Sequence, residues 1–252
     1  MLSGGGKVTH VRKYNCGYCT NDLSRVFKRV KCEKRHFPAM AVFIKRHNTA
    51  FVFDTGYSAR IAECGLMSKI YCHLNPVHCR EEDSFKAQLL NDGIAPEEIK
   101  TIILSHLHPD HIGGLKDFPN SKIVISQKTY EEYRNRELKD LIFTNLLPSD
   151  FEKRLETFQE DSYDLFGDQS CVLMELPGHT SGQIGMLLPE YNTLFAADSS
   201  WGEDLLEKEM RFAGRCIQKN YGEYMKTIER IKDIRDRGIK VIFSHDSHEA
   251  EK

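Results

Sequence analysis

The residues best suited to chemistry lie in the string HLHPDH at positions 106–111, which holds three imidazoles and one carboxylate. Imidazole and carboxylate ligands together suit zinc first, with iron or manganese as alternatives. In an extended segment alternate side chains point to the same side, which groups His106 with His108. Asp110 and His111 follow where the chain is expected to turn. One short loop can therefore present two ligand sets to two different metal ions.

Three more residues of ligand type follow apolar runs further along the chain. His179 lies in LPGHTSG, Asp198 in LFAADSS and His245 in VIFSHD. A polar residue that directly follows a buried strand usually lies at the edge of a sheet, where ligands collect. We therefore expect these three residues to join the HLHPDH string in one site.

The elements that must position these residues alternate between short apolar runs and helical stripes. Strands are predicted at 39–45, 50–54, 101–105, 122–126, 171–176, 184–188, 194–197 and 240–244. Helices are predicted at 81–91 and from Ile217 to a stop at Gly238, with a helical turn at 96–98. This alternation predicts one α/β domain over residues 1–252, with its functional loops at strand ends. A basic, cysteine-containing segment, 1–38, is expected to pack on or near it.

Composition excludes several classes of protein. The chain has 252 residues, of which 40% are hydrophobic and 29% charged, with a formal net charge of −2. These values are typical of a globular protein and argue against nucleic acid or membrane as the partner. No apolar run approaches the roughly 18 residues of a membrane span, and residues 1–13 lack an apolar signal segment. We therefore expect a cytoplasmic protein acting on a small molecule, of undetermined oligomeric state.

A run of basic residues between Arg25 and Arg35 stands out in the first part of the chain. A solvated hairpin or loop face is the favoured interpretation, because such charge runs usually face water. The alternative is a basic rim that attracts an anionic substrate or partner.

The N-terminal cysteines raise the question of an additional metal site or a redox pair. Cys16 and Cys19 have the CxxC spacing, and Cys32 follows. That spacing is specific for a metal only when a second CxxC follows, and this chain has none. Ordinary reduced thiols are therefore favoured over an extra metal.

The order of these motifs, beginning with Asp54 in DTG, resembles the metallo-β-lactamase superfamily and is closest to its N-acyl homoserine lactonase branch. The resemblance covers residues 39–246. It implies a four-layer αβ/βα metallo-β-lactamase-type sandwich with two metals in the groove between the edges of its sheets. It also implies one ion held by His106, His108 and His179, a second held by Asp110, His111 and His245, and a bridge through Asp198. Asp54 would support the ligand loop through hydrogen bonds rather than bind metal.

The implied activity is hydrolysis by a binuclear centre, most simply with two Zn²⁺ and with Fe or Mn as alternatives. Two metals about 3.5–4 Å apart can share a bridging hydroxide, and Asp110 is the candidate to orient it and pass its proton to the leaving group. A small acyl substrate is favoured: a lactone, a thioester or an ester. A phosphodiesterase or nuclease of the same fold and a non-catalytic ligand-binding protein are the alternatives.

Two regions are expected to contact the substrate. The lactonases carry a tyrosine three residues after the bridging aspartate, and here that position is Trp201. An indole can donate one hydrogen bond but cannot act as a phenol, so Trp201 either contacts substrate or anchors the groove wall. The segment 64–80 precedes the ligand loop and could cover the groove, which makes Tyr71, His73 and His78 candidate contacts.

Overall fold

The computed structural model describes residues 7–246. The two extreme ends of the predicted domain, residues 1–6 and 247–252, lie outside the described residues. None of the helices within the described range combines the length and apolarity that a membrane span requires.

The strands account for two sheets. They are β1 Val8–Asp22, β2 Lys34–Arg46, β3 Thr49–Phe53, β4 Val77–His78, β5 Ile99–Ile103, β6 Lys122–Ser126, β7 Leu155–Phe158, β8 Ser162–Asp164, β9 Val172–Glu175, β10 Ile184–Leu188, β11 Thr193–Phe195 and β12 Lys240–Ile242. The helices are α1 Leu23–Val26, α2 Leu66–Leu74, α3 Phe85–Asn91, α4 Pro109–Ile112, α5 Gln127–Arg134, α6 Phe151–Arg154, α7 Phe212–Ile217 and α8 Tyr221–Asp236. Short 3₁₀ turns at Glu81–Asp83 and Pro96–Glu98 agree with the predicted helical positions there.

The two sheets bring several strand ends to the same place. One sheet has seven strands in the order β4-β1-β2-β3-β5-β6-β7, and the other has five in the order β12-β11-β10-β9-β8. In the first sheet β3 and β5 are parallel. In the second, β11 is parallel to β12, and β10 is antiparallel to both β9 and β11. The carboxyl ends of β9, β11 and β12 therefore lie at one edge of their sheet.

The core follows the two-residue period of the strands. On β2, Val42 and Ile44 belong to a buried cluster shared with Leu173 and Met186 of the second sheet. The alternate residue Phe43 belongs to a second cluster that includes helical side chains. Because successive side chains point to opposite faces, β2 is buried on both sides, between a sheet and a layer of helices. The α/β class and the layered arrangement of sheets and helices predicted from the sequence are confirmed.

The N-terminal segment contributes a strand to the larger sheet of the domain. Strand β1 pairs along its length with β2 and forms part of the larger sheet. The basic run between Arg25 and Arg35 lies in the connection between these two strands. There Lys28 forms an ion pair with Glu209, and Arg35 forms one with Asp204 at 2.9 Å. The exposed-hairpin interpretation agrees with this arrangement.

The predicted helix starting at Ile217 was wrong at its beginning. Helix α7 ends at Ile217, and α8 begins only at Tyr221. Asn220 caps α8, since its side-chain oxygen accepts hydrogen bonds from the backbone N–H groups of Gly222 and Glu223 at 3.0 and 3.1 Å. An asparagine at this position competes with helix continuation and starts a new helix instead.

Candidate metal centre

Strand ends deliver most of the predicted ligands to one edge of the molecule. His106 follows β5, and His179 follows β9. Asp198 follows β11, and His245 follows β12. All four side chains are buried, although histidine and aspartate are rarely buried without a partner. The burial of these groups therefore requires compensation within the site.

Helix α4 supplies the remaining ligands. Pro109 occupies its first position, where a proline lacking an N–H costs no hydrogen bond. The turn separates His108, which precedes the helix in extended conformation, from Asp110 and His111 inside it. The loop thus divides its ligand residues into two groups, as the spacing predicts.

The structure brings all seven predicted ligands into two groups. The imidazole cluster consists of His106, His108 and His179. The carboxylate cluster consists of Asp110, His111, Asp198 and His245. Within each cluster the ligand atoms lie within 4.8 Å of one another, so each cluster could hold a metal ion.

Asp198 lies between the two clusters. Its Oδ2 atom is 3.1 Å from His245 Nε2 and 3.5 Å from His179 Nε2. Its Oδ1 atom is 3.3 Å from His111 Nε2. This carboxylate therefore contacts histidines of both clusters, which is the arrangement that a bridging ligand requires.

Several ligand atoms lack a hydrogen-bond partner. Among residues 7–246, no hydrogen bond satisfies the buried atom His106 Nε2. His111 Nε2 and Asp198 Oδ1 lie 3.3 Å apart, but neither forms a hydrogen bond with the other or with another group in this range. Leaving a buried polar atom unsatisfied costs about 1–3 kcal/mol, and more for a charged group. In the imidazole cluster, His108 Nδ1 and His179 Nε2 face each other at 3.0 Å. Nitrogen and carboxylate atoms converging in this way fit transition-metal ions.

Asp54 orients the ligand loop. Its Oδ1 accepts a hydrogen bond from the backbone N–H of Ser105 at 2.8 Å, and its Oδ2 lies 2.8 Å from both Ser105 Oγ and His111 Nδ1. When Nδ1 of His111 donates to this carboxylate, the lone pair of Nε2 faces the cluster. This is the supporting position expected of Asp54.

Two other partners of the ligand histidines were not predicted. His179 Nδ1 lies 3.0 Å from Gln218 Oε1, and His245 Nδ1 lies 2.8 Å from the backbone carbonyl of Pro38. A backbone carbonyl carries no signal in the sequence. Gln218 is a buried residue directly after α7, a helix whose apolar residues Phe212 and Ile217 are exposed, so no apolar pattern in the sequence marked its position.

The pKa values of the histidines differ between the two clusters. Burial, together with the neighbouring His111, holds the pKa of His106 well below its ordinary value. Burial also lowers the pKa of His111 in isolation, but the charges of Asp198, Asp54 and Asp110 outweigh it and raise that pKa well above its ordinary value. In the same way Asp198 overcomes the effect of burial and raises the pKa of His245 to about 9.

Two glycines allow the ligand loop to pack tightly. A Cβ atom on Gly113 would lie only 2.5 Å from the backbone nitrogen of Ser58, and one on Gly114 would lie 2.7 Å from the carbonyl oxygen of Thr55. The Thr55 N–H donates to the carbonyl of His111 at 2.8 Å. The segment after β3 and the ligand loop are therefore joined by backbone contacts.

The predicted substrate contacts fall in different places. Trp201 packs edge-on against Phe27 and Phe37, with ring centroids 5.8 and 5.6 Å apart. Tyr71 is partly buried on α2. His73 is exposed, and His78 is exposed on the edge strand β4.

His78 stacks on Tyr18 with centroids 4.8 Å apart. Neither His73 nor His78 belongs to either ligand cluster. A substrate role for these two histidines stays a prediction.

The cysteines do not form a further cluster of ligand residues in the described part of the chain. All eight are free thiols, with Cys16 and Cys19 buried and Cys32 exposed. Among residues 7–246, no group of three ligand-type side chains includes a cysteine. The interpretation of these cysteines as ordinary reduced thiols stays a prediction.

Comparison with known proteins gives a consistent family. Residues 35–245 match the model of the metallo-beta-lactamase superfamily. The chain is 32% identical over 178 residues to an N-acyl homoserine lactonase of Bacillus cereus, an alignment that covers 66% of this chain and 63% of that protein. It is 25% identical over 190 residues to N-acyl homoserine lactonase AttM of Azorhizobium caulinodans, covering 66% and 65% of the two chains.

A solved structure has the same fold. It is described as an N-acyl homoserine lactone hydrolase with the product N-hexanoyl-L-homoserine bound at the catalytic metal center. The TM-score is 0.78 at 22% identity, with 96% of this chain and 94% of that chain covered. The sequence alignments cover a smaller part of the relatives than the structural one does. This chain spans 63–65% of the length of the two curated relatives.

Proposed function

This chain belongs to the metallo-β-lactamase superfamily, and we propose that it is a binuclear metal-dependent hydrolase of small acyl compounds. Lactones are the first substrates to consider, followed by thioesters and esters. The observation that carries this proposal is the pair of adjoining buried clusters, whose ligand atoms converge and in part lack a hydrogen-bond partner within residues 7–246.

The proposed ligands follow from the clusters. The imidazole cluster would hold one ion and the carboxylate cluster the other, with Asp198 contacting both. Zinc suits this mixture of nitrogen and oxygen ligands best, and iron or manganese are alternatives. Such ions supply Lewis acidity, which lowers the pKa of water toward ~7 and polarises an ester or lactone carbonyl.

Asp110 is the proposed proton carrier. Its side chain is buried, and its Oδ2 atom lies 3.6 Å from His245 Nε2 and 3.7 Å from His111 Nε2. The proposed role of this carboxylate is to accept a proton from the attacking water and deliver it to the leaving-group oxygen. Proton transfer by a positioned side chain contributes about 10²- to 10⁴-fold to a rate.

Two observations favour an acyl substrate over a phosphodiester. The curated relatives are named N-acyl homoserine lactonases. In the basic run, Lys28 and Arg35 are engaged by acidic side chains, which reduces their attraction for an anion. The presence of all seven ligand residues argues against a non-catalytic member of the family, because degenerate members usually lose ligands.

Metal analysis followed by a substrate screen tests the proposal. The purified chain should contain two transition-metal ions and should hydrolyse a lactone, a thioester or an ester. A chelator should abolish the activity, and zinc should restore it. Asp110→Asn should be inactive, while Asp236→Asn, on an exposed part of α8, serves as the matched control.

Three results would count against this proposal in different ways. Hydrolysis of bis-p-nitrophenyl phosphate without hydrolysis of any acyl compound would show that the substrate is a phosphodiester rather than an acyl compound. One ion or none after reconstitution would refute the binuclear centre. Two bound ions without turnover of any of these compounds would favour the non-catalytic alternative.

A further inference from the structure

Two tyrosine hydroxyls form a pair beside the ligand loop. Tyr57 Oη and Tyr71 Oη lie 2.8 Å apart, a hydrogen-bond distance. Tyr57 is fully buried, whereas Tyr71 is partly buried. A buried hydroxyl requires a partner, and Tyr57 finds it in a residue that retains access to the surface.

The position of Tyr57 depends on the same contacts that hold the ligand helix. Gly56 accepts a hydrogen bond from the N–H of Gly113 at 2.9 Å, immediately after α4. The Tyr57 N–H donates to the carbonyl of Cys16 at 3.1 Å. A Cβ atom on Gly113 would lie 2.6 Å from the carbonyl carbon of Tyr57. Tyr57 is thus held against both β1 and the ligand loop.

Hydrogen-bond counting leaves one proton available. Two hydroxyls carry two protons, and the bond between them uses one. Cys19 also borders the pair, but a thiol is a weak partner. When Tyr57 donates to Tyr71, the O–H of Tyr71 is left to donate elsewhere.

The two hydroxyls remain donors at neutral pH. Burial is the chief reason that the pKa of Tyr57 and of Tyr71 lies well above the ordinary value of a phenol, and a phenol of ordinary pKa, about 10, already keeps its proton at pH 7. The backbone contacts of Gly56 and Tyr57 with Gly113 place this segment next to the end of α4, the helix that carries Asp110 and His111.

An aromatic side chain packs on the ring of Tyr71. The ring of Phe143 lies edge-on to it, with centroids 5.7 Å apart. Phe143 also lines a surface groove of about 640 Å³, whose wall includes apolar residues such as Met67 and charged residues such as Arg136 and Lys139. Phe143 therefore links Tyr71 to a groove that could admit part of a substrate.

We propose that Tyr71 donates its hydroxyl proton in a hydrogen bond to an oxygen of the substrate's acyl or leaving group. Tyr57 makes no contact with the substrate. It is a positioning residue, and its hydrogen bond holds the Tyr71 hydroxyl in place. This assignment rests on the proposed function and adds to it a specific donor on α2. The phenol remains protonated throughout, so no covalent step is assigned to it.

The test uses the metal-loaded full chain and the best acyl substrate of the wild-type protein. Tyr71→Phe should lower kcat on the order of 100-fold, the lower end of the cost of removing one preorganised donor. KM should change by less than about 3-fold, because ground-state binding depends little on a bond that strengthens in the transition state. The exposed Tyr191→Phe is the matched control and should behave as wild type.

The positioning role requires a double-mutant cycle. Tyr57→Phe should lower kcat by about 10-fold, and Tyr57→Phe/Tyr71→Phe should be no slower than Tyr71→Phe, because coupled residues are not additive. Metal content should remain within error of wild type in all variants. The thermal midpoint of Tyr71→Phe should fall by several degrees, because the buried Tyr57 hydroxyl loses its partner at a cost of about 1–3 kcal/mol. Additive losses in the double variant would refute the positioning role of Tyr57.

Other outcomes separate this inference from the proposed function. If wild-type protein hydrolyses an acyl substrate and Tyr71→Phe retains its kcat, the inference fails while the proposed function stands. If Tyr71→Phe loses metal together with kcat, its role is structural and the inference fails. If the wild-type protein hydrolyses no acyl compound, both fail.

Discussion

The two ligand clusters adjoin each other but differ in charge. In the imidazole cluster, burial is the main reason that the pKa values of His106, His108 and His179 are lowered, and the hydrogen-bond partner of His179 is the neutral Gln218. In the carboxylate cluster, the pKa values of His111 and His245 are raised by carboxylates that outweigh burial.

This difference follows from the carboxylates, two of which are members of the second cluster while a third, Asp54, lies beside it. Asp54, Asp110 and Asp198 all act on His111. A cation entering the imidazole cluster would meet neutral nitrogens, whereas one entering the carboxylate cluster would replace protons. One ligand loop thus serves two chemically different sites, and Asp198 is the residue that joins them.

Removal of Asp198 is expected to have the largest effect. Asp198→Ala should weaken metal binding at both clusters, since this carboxylate contacts histidines of each. Activity should fall by more than about 100-fold, because even hydrogen-bond partners of metal ligands typically contribute about 10- to 100-fold. Metal content by elemental analysis, before and after dialysis, measures the loss. Retention of one tightly bound ion would show that Asp198 serves only one cluster.

Single ligand substitutions test whether the clusters act separately. His108→Ala should release the ion of the imidazole cluster, and His245→Ala should release that of the carboxylate cluster, each leaving about one ion per chain by the ligand count. His47→Asn is the control, because His47 is exposed and asparagine tolerates its φ of 51°. Identical loss of both ions in the two variants would indicate one cooperative centre rather than two.

The residues that hydrogen-bond to the ligand histidines should show the same contrast between the two clusters, with smaller effects on metal binding and activity. Asp54→Asn is expected to weaken metal binding or activity by about 10- to 100-fold, since it removes the charge that orients His111. Gln218→Leu removes a neutral partner of His179 and should cost at most about 10-fold, the lower end of that range. Titration of the metal-free protein with zinc measures both. An equal effect of the two substitutions would mean that the charge difference between the clusters has no consequence for binding.

Trp201 should have the smallest effect. It packs on Phe37, which lies edge-on to His245 with centroids 6.0 Å apart. Trp201→Ala should raise KM for a neutral acyl substrate by less than about 10-fold through lost apolar contact, with little dependence on salt. Charge reversal at Lys31 and Lys34, measured over a salt series, is the comparison. A kcat/KM that falls steeply with salt while Trp201→Ala is neutral would favour an anionic substrate.

The ligands could be predicted from the sequence because each interrupts an apolar pattern. HLHPDH follows a buried strand, and Asp198 and His245 do the same. Strand β1 escaped prediction because two register shifts, between Val8 and His10 and between Asn15 and Tyr18, interrupt the regular alternation of buried and exposed residues. Its partner β2 supplies much of its environment. Pro38 contributes a backbone carbonyl, which every residue type could provide. Tyr57 required the fold, because its partner Tyr71 comes from a different element.

The concentration of ligands in α4 and the residues before it has a consequence for the unfolded chain. His106, His108, Asp110 and His111 are neighbours in sequence, so a metal ion can bind to this string before any strand has formed. Binding to the unfolded state reduces the stabilisation that a ligand gives to the native state. His179, Asp198 and His245 join only when distant parts of the chain assemble, which takes loop closure and therefore time. If the proposed centre binds zinc, zinc present during refolding would be bound early by a partial site, and its contribution to equilibrium stability would be smaller than the affinity of the complete centre.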